Sequence, residues 1–221
     1  VLAVHDGVVD AADLRDRLLG QGISRRIVDI VVSVPRDRFV PRELRVRAWE
    51  DHALPIGHGQ TISQPTVVAV MTEAAAVGPG DTVLDVGTGS GYQAAILAAT
   101  GARVHAIERI PALADAARER LAALGYDVDL HIGDGTRGLP ELAPFDAIVV
   151  AAATPSIPPA LTDQLRLPEA TRRGGRLVIP VGEPGGWLGS QVLLLIERTT
   201  EGLHRRKLLD VVFVPLVADH P

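Results

Sequence analysis

Apolar positions along the chain follow two periods. Short, nearly unbroken apolar runs occur at VLDV (83–86), RVHAI (103–107), DLHI (129–132), DAIVV (146–150) and RLVIP (176–180). Each is too short for a helix and reads as a buried strand. Between them, apolar residues recur at helical spacing over Tyr92–Thr100, Ala112–Leu124, a short piece near Leu139, and Pro159–Leu165. Strand–helix alternation with right-handed crossovers predicts an α/β fold, a doubly wound and mostly parallel sheet. Two later runs, Gln191–Arg198 and Lys207–Val214, flank Glu201-Gly202 and read as a hairpin. At least one of them must therefore run antiparallel at the C-terminal edge of the sheet.

Upstream the pattern changes. Asp10 is placed to cap a short helix with Leu14, Leu18 and Leu19 on one face, stopped by Gly20 and Gly22. Ser24 is placed to cap a second, with Ile27, Val28, Val31 and Val32 inward and Pro35 at its end. From Pro35 to Pro65, prolines at 35, 41, 55 and 65 and glycines at 57 and 59 interrupt both periods. Too broken for a core element and too poor in Ser and Gly for a free linker, this stretch reads as a functional covering segment. Pro65 then opens a helix through Ala74, stopped at Gly78-Pro79-Gly80. The expected organisation is a helical N-terminal cover, residues 1–64, on a domain of residues 65–221, together one unit.

Bulk properties narrow the class. The 221 residues suffice for a full core, and an aromatic content of 3% leaves that core to Val, Leu, Ile and Ala. A net charge of −5 argues against a nucleic-acid partner. No apolar run reaches membrane-spanning length. The opening VLAVHDGVVD, broken by Asp6 and Asp10, lacks the plan of a signal peptide, and Val1 implies numbering that begins inside the gene product or after processing. The absence of cysteine removes disulfides, thiolate metal sites and a Cys nucleophile together. A cytoplasmic protein is expected.

The candidate chemistry gathers after the first strand. VLDV runs into Gly87-Thr88-Gly89-Ser90-Gly91 and then into a helix, which aims backbone N–H groups at a ligand above the sheet. The G-x-G-x-G spacing differs from the G-x-G-x-x-G of dinucleotide folds, which disfavours NAD. Glu108 ends the second strand seventeen residues after Gly91, where an acid can accept hydrogen bonds from ribose hydroxyls, or simply start the next helix. Asp134, between Gly133 and Gly135, suits an exocyclic amine such as that of adenine, or an Asx turn. AAATPS (151–156) carries no acid, base or nucleophile. Its small side chains suggest that something bulky, such as another chain's backbone, lies over that edge. His52 and His58 lack partners at metal spacing and read as loop residues. Arg205-Arg206-Lys207 reads as a solvated turn, and Trp49 as a packing anchor.

At PIGHGQTISQP, VLDVGTGSGYQAAILA, GDG, APFDAIVVAAA, GGRLVIPVG and FVPL the sequence resembles the protein-L-isoaspartate O-methyltransferases, over about Val34–Leu216. The glycine turn alone would mark only the S-adenosylmethionine-dependent methyltransferases, whose sheet is Rossmann-like; the GQTISQP segment is the more specific signal. The resemblance implies that Gly87, Gly89 and Gly91 hold the methionine part of S-adenosyl-L-methionine, Glu108 the ribose, and Asp134-Gly135 the adenine. It implies Ser63 as the active-site residue, with Thr61 and Ile62 beside the cofactor, no metal, and a monomer. The substrate implied is the free α-carboxylate of L-isoaspartyl residues in damaged proteins and peptides, esterified so that a succinimide can form. Two departures stand out. RLPEATRR (166–173) is longer than the usual link and could alter the substrate rim, and Val217 follows FVPL where some relatives carry Thr.

Such a reaction needs little acid–base chemistry. The α-carboxylate is ionised at neutral pH, so placement and exclusion of water remain, and orientation alone can contribute about 7–11 kcal/mol. A neutral donor such as Ser63 can hold the carboxylate without quenching it. Ser63 is equally placed to cap the helix that Pro65 opens. Two other functions fit parts of the pattern: a peptide-tailoring methyltransferase that esterifies Asp in one dedicated precursor to give an aspartimide, and a non-catalytic nucleotide sensor.

Overall fold

The computed structural model describes residues 9–183 and 190–218. Most of the opening segment weighed as a signal peptide lies outside them. A seven-stranded sheet has the order β5-β4-β3-β6-β7-β8-β9, with β3 (Thr82–Val86), β4 (Arg103–Glu108), β5 (Val128–Ile132), β6 (Ala147–Val150), β7 (Arg176–Gly182), β8 (Gln191–Thr199) and β9 (Gly202–Val211). The pairs from β5 to β7 are parallel, whereas β8 is antiparallel to both its neighbours. The predicted doubly wound sheet with an antiparallel C-terminal edge is the one found. After β5 the chain crosses to the other side of β3, so β3 and β6 lie side by side at the switch point where ligands of such sheets bind.

Helices α1 (Ala11–Gly20), α2 (Arg25–Ser33), α3 (Pro65–Ala75), α4 (Tyr92–Ala99) and α5 (Pro111–Ala123) contribute to one apolar cluster, which takes Val83, Val104 and Val149 from the sheet. The alternate residues Leu84, Ile107 and Ile148 enter a second cluster with Phe145 and Leu161, the latter from the short α6 (Pro159–Asp163). Period-two alternation in the strands thus supplies both layers. Asp10 closes a capping box with Asp13 at the start of α1. Ser24 makes no side-chain cap; its backbone N–H donates instead to Glu73. Among the described residues, no helix is long and apolar enough to cross a membrane.

The covering segment is more ordered than its prolines suggest. Two 3-10 turns, Arg36–Phe39 and Arg42–Arg47, lead to a small antiparallel pair, β1 (Leu54–Gly57) and β2 (Gln60–Ile62). The fully buried Arg36 anchors it, donating to the Ala48 and His52 carbonyls and stacking on the Tyr92 ring of α4 at 4.8 Å. Phe39 meets the same ring edge-on, and Trp49 packs on the core as expected.

Three expectations need correction. Strand β9 begins at Gly202, directly after Thr200-Glu201, so Arg205-Arg206-Lys207 are strand residues and not a turn. They were hidden because one side of an edge strand faces water and tolerates charge. The cover over the AAATPS edge is this chain's own backbone: the Ala153 N–H donates to the Val214 carbonyl at 2.8 Å, and the Leu216 N–H to that of Ala153 at 2.7 Å. The 166–173 segment does not reach the substrate rim. It folds under the amino ends of the strands, where Asp146 accepts hydrogen bonds from Arg166, Arg172 and the Thr82 N–H. Arg172 also reaches the Gly80 carbonyl.

Burial pushes the Asp146 carboxyl up, but hydrogen bonds from Arg166 and Thr82 and the charges of both arginines outweigh it and hold it below the ordinary range. Replacing Asp146 with Asn should remove the countercharge of two arginines and lower stability by about 3 kcal/mol. Urea denaturation measures the loss.

Candidate active site

At its carboxyl end β3 breaks into Gly87, Gly89 and Gly91, with φ of 80°, 54° and 89°. That left-handed backbone is where a Cβ is costly. It turns the chain sharply enough for α4 to start at Tyr92. The glycines then differ. Gly87 lies beside Ala151 at the switch point, where a Cβ would sit 3.8 Å from the Ala151 backbone. Gly89 lies under the β1–β2 hairpin, its Cβ position 3.1 Å from Ile56. Gly91 faces α5, with Leu121 at 3.2 Å, so its bare backbone serves helix packing.

Glu108 follows from β4 and is nearly buried. Its Oε2 accepts from the Gly89 N–H at 2.9 Å and its Oε1 from the Ile110 N–H at 2.9 Å. It thus has the helix-start contact expected of it, at the residue before α5, and a second one that braces the glycine turn above the sheet. Asp134 turns its carboxylate into its own loop, accepting from the Thr136 N–H and hydroxyl, with Arg137 3.7 Å away. The Asx-turn reading of Asp134 therefore holds. Gly135 is tighter, since a Cβ there would come within 2.6 Å of Val86.

A cleft joins these parts. Thr61, Gly87, Gly89, Glu108, Gly135, Ala151 and Leu216 line it, so most of the predicted cofactor residues share one cavity. A smaller cavity beneath the glycine turn is lined by Thr61, Ile62 and Ser63. A groove of ≈ 640 Å³ opens next to both, walled by Val67, Val212, Phe213 and Val214, with Ser63 and Thr66 as polar points. Ser63 stands where the groove meets the small cavity. Among the described residues its hydroxyl has no hydrogen-bond partner. The α3 cap that Ser63 might have supplied comes from Asp51, which accepts from the Thr66 N–H at 2.9 Å and the Thr66 hydroxyl at 2.8 Å. This leaves the Ser63 hydroxyl uncommitted.

The residues fit a nucleoside bearing an amino-acid tail. Gly89 and Gly135 leave no room for side chains, Glu108 offers spare acceptor lone pairs, and the wall beside Ala151 is small.

A family model described as protein-L-isoaspartate(D-aspartate) O-methyltransferase (PCMT) matches residues 11–220. The chain belongs to that family. The protein-L-isoaspartate O-methyltransferase of Roseiflexus castenholzii is 50% identical over 93% of this chain and 90% of its own length. That of Methylorubrum populi is 52% identical over 92% of each. A Plasmodium falciparum structure described as a protein-L-isoaspartate O-methyltransferase, in complex with S-adenosyl-L-homocysteine, superposes with a TM-score of 0.80 at 26% identity. It covers 95% of this chain and 99% of that one. The PCMT family is S-adenosylmethionine-dependent, which agrees with the cleft described.

Beneath the glycine turn lies an acid without a sequence-based role, Asp85, inside VLDVGTGSG. It is fully buried, with Oδ2 accepting from the Thr88 hydroxyl at 2.8 Å and Oδ1 lacking any protein partner. An acid in an otherwise apolar strand, just before three glycines, was the signal available. Burial pushes its carboxyl up to about 7, opposed by the Thr88 hydrogen bond and helped by the charge of Glu108. The folded state therefore holds a proton that the unfolded chain releases near 3.8, and this contribution to stability is lost as pH rises towards 7. The stability difference between wild type and Asp85→Asn should shrink by about 2–3 kcal/mol from pH 5 to pH 8. Denaturant midpoints at the two pH values test this, and a difference independent of pH would contradict it.

Proposed function

We propose that this protein transfers the methyl group of S-adenosyl-L-methionine to the free α-carboxylate of L-isoaspartyl residues in damaged proteins and peptides, starting repair through a succinimide. The observation that carries the reading is the junction at Thr61, Ser63 and Ala151. There a cleft fit for the donor opens into an apolar groove fit for a peptide.

S-adenosylmethionine, when bound, supplies an activated methyl group on a sulfonium and leaves as a neutral thioether. The chain supplies placement. In this proposal Glu108 accepts from ribose hydroxyls, Gly87, Gly89 and Gly91 shape the turn around the methionine portion, and Asp134-Gly135 lies against adenine. Thr61 and Ile62 close the cleft from the hairpin. The Ser63 hydroxyl donates to the substrate carboxylate and orients it without neutralising it. The β1–β2 hairpin and residues 213–217 exclude water, and the apolar groove asks little of neighbouring side chains, which suits damage at many sequences. No general base is needed, because the nucleophile is already charged.

The proposal includes a cytoplasmic monomer acting without nucleic acid or membrane, with residues 1–64 as a cover over the 65–221 transferase domain. The single cluster that joins Leu14, Ile27 and Phe39 to Val68 and Tyr92 supports treating both parts as one folding unit.

Purified protein, labelled donor and paired peptides bearing Asp or isoAsp at one position test the substrate. Labelling should be confined to the isoAsp peptide; equal labelling of both would overturn the reading in favour of Asp tailoring, and labelling of neither would refute the activity. Ser63→Ala should lower kcat tenfold or more, while Tm and S-adenosylhomocysteine affinity stay near wild type. Near-normal turnover in Ser63→Ala would remove Ser63 from the active site.

A further inference from the structure

Outside the cleft the molecule carries one cluster of metal-binding side chains among its described residues. His105 on β4, Asp129 and His131 on β5 bring two imidazole nitrogens and a carboxylate oxygen within 4.8 Å of one another. His105 stands opposite Asp129 in the parallel register, and His131 is two residues further along β5. Strand alternation puts all three on one face of the sheet. They lie in mid-strand, not at the strand ends that form the cleft. Nothing in methyl transfer uses them.

We propose that His105, Asp129 and His131 form a site for one divalent transition-metal ion of the zinc class, clamping the edge strand β5 to β4. The spacing supports it. His105 Nδ1 is 3.1 Å, and His131 Nε2 3.3 Å, from the same oxygen, Asp129 Oδ2. Ligands at zinc bond lengths of about 2.0–2.1 Å sit about 3.3 Å apart along the edge of a tetrahedron. An unpartnered nitrogen supports it separately. His131 Nε2 is buried and makes no hydrogen bond, although the carboxylate oxygen is that near. Only His105 is hydrogen-bonded to that oxygen, through Nδ1 at 3.1 Å, so the buried His131 nitrogen sits in the cluster without a hydrogen-bond partner. A buried nitrogen without a partner is costly, and a metal removes that cost.

The surroundings favour the metal-binding form of the donors. His105 is buried, its ring edge-on to Phe145 at a centroid distance of 6.1 Å, so its orientation is fixed before any ion arrives. Asp129 is half exposed, which leaves the fourth position to water. The donor set selects Zn²⁺, Ni²⁺ or Cu²⁺ over Mg²⁺. Arg103 acts on His105 as a positive neighbour and opposes a dication too, so micromolar and not nanomolar affinity is expected. An edge strand pinned there also steadies the Gly133–Gly135 turn that follows it.

Full-length, tag-free protein is stripped with chelator and titrated with Zn²⁺ alone by calorimetry, with Tm recorded in parallel. One ion per chain should bind, and Tm should rise by about 5 °C at a hundredfold excess over Kd, whereas Mg²⁺ at the same concentration should not shift it. Co²⁺ should give the visible bands of a tetrahedral nitrogen–oxygen site. His131→Ala and Asp129→Asn should each weaken Zn²⁺ tenfold or more, and His204→Ala, an exposed histidine on β9, should change nothing. Asp129 is exposed enough for its substitution to leave folding intact should His131→Ala not fold. Wild-type binding in the Asp129 and His131 variants, an equal Tm shift with Mg²⁺, or no stoichiometric binding would overturn the site.

Discussion

The contact on which the active-site end of this molecule depends is the Glu108 carboxylate held between two backbone N–H groups. One oxygen takes the Gly89 N–H from the turn after β3, and the other takes the Ile110 N–H where α5 begins. Two neighbouring strands thus finish in a single hydrogen-bonded unit. Charged acceptors make strong hydrogen bonds, and this one steadies a backbone that three left-handed glycines would otherwise leave soft. Everything ligand-facing is positioned from here. Gly87 lies beside Ala151 across the switch point, Ile56 covers Gly89 from above, and Gly135 presses against Val86 from the side.

Around this rigid turn, the walls come from distant parts of the chain. The hairpin that carries Thr61 and Ile62 is anchored by Arg36, whose Nε and Nη2 donate to backbone carbonyls while the guanidinium stacks on the Tyr92 ring. Asp51 reaches across to hold the start of α3, which relieves Ser63 of a structural duty it could have carried. At the other end of the sheet, Asp146 gathers Arg166 and Arg172 under the strands. Charged side chains thus brace both ends of the sheet, Glu108, Arg36 and Asp51 around the cleft and Asp146 with its arginines beneath it.

Much of this was legible in the sequence, for definable reasons. Central strands buried on both faces read as apolar runs, which is why β3, β4, β6 and β7 are found within a residue or two of expectation. The glycine turn and Glu108 lie on adjacent strands at a spacing that one βαβ unit imposes. What stayed hidden depends on tertiary context. Arg205-Arg206-Lys207 look like a turn until the strand is known to be an edge. Asp51 and Thr66 are fifteen residues apart, and no local pattern announces a cap reaching across that gap. The 166–173 segment looked like a rim because its arginines have no local partner; Asp146, twenty residues away from Arg166, supplies one beneath the sheet. His105, Asp129 and His131 escaped notice because only strand register brings them together. Chemistry carried by contiguous residues can be read from sequence; chemistry made by crossing the sheet cannot.

The stretch that hydrogen-bonds along Ala153 has a consequence for how the molecule comes into being. Residues 213–217 complete both the cleft and the groove, yet a ribosome makes them after the glycine turn, the hairpin and every parallel strand. A growing chain therefore carries all its parallel strands before the segment that closes their working face exists. Until residues 213–217 emerge, the Ala153 backbone groups they pair with stay open to any other extended segment nearby.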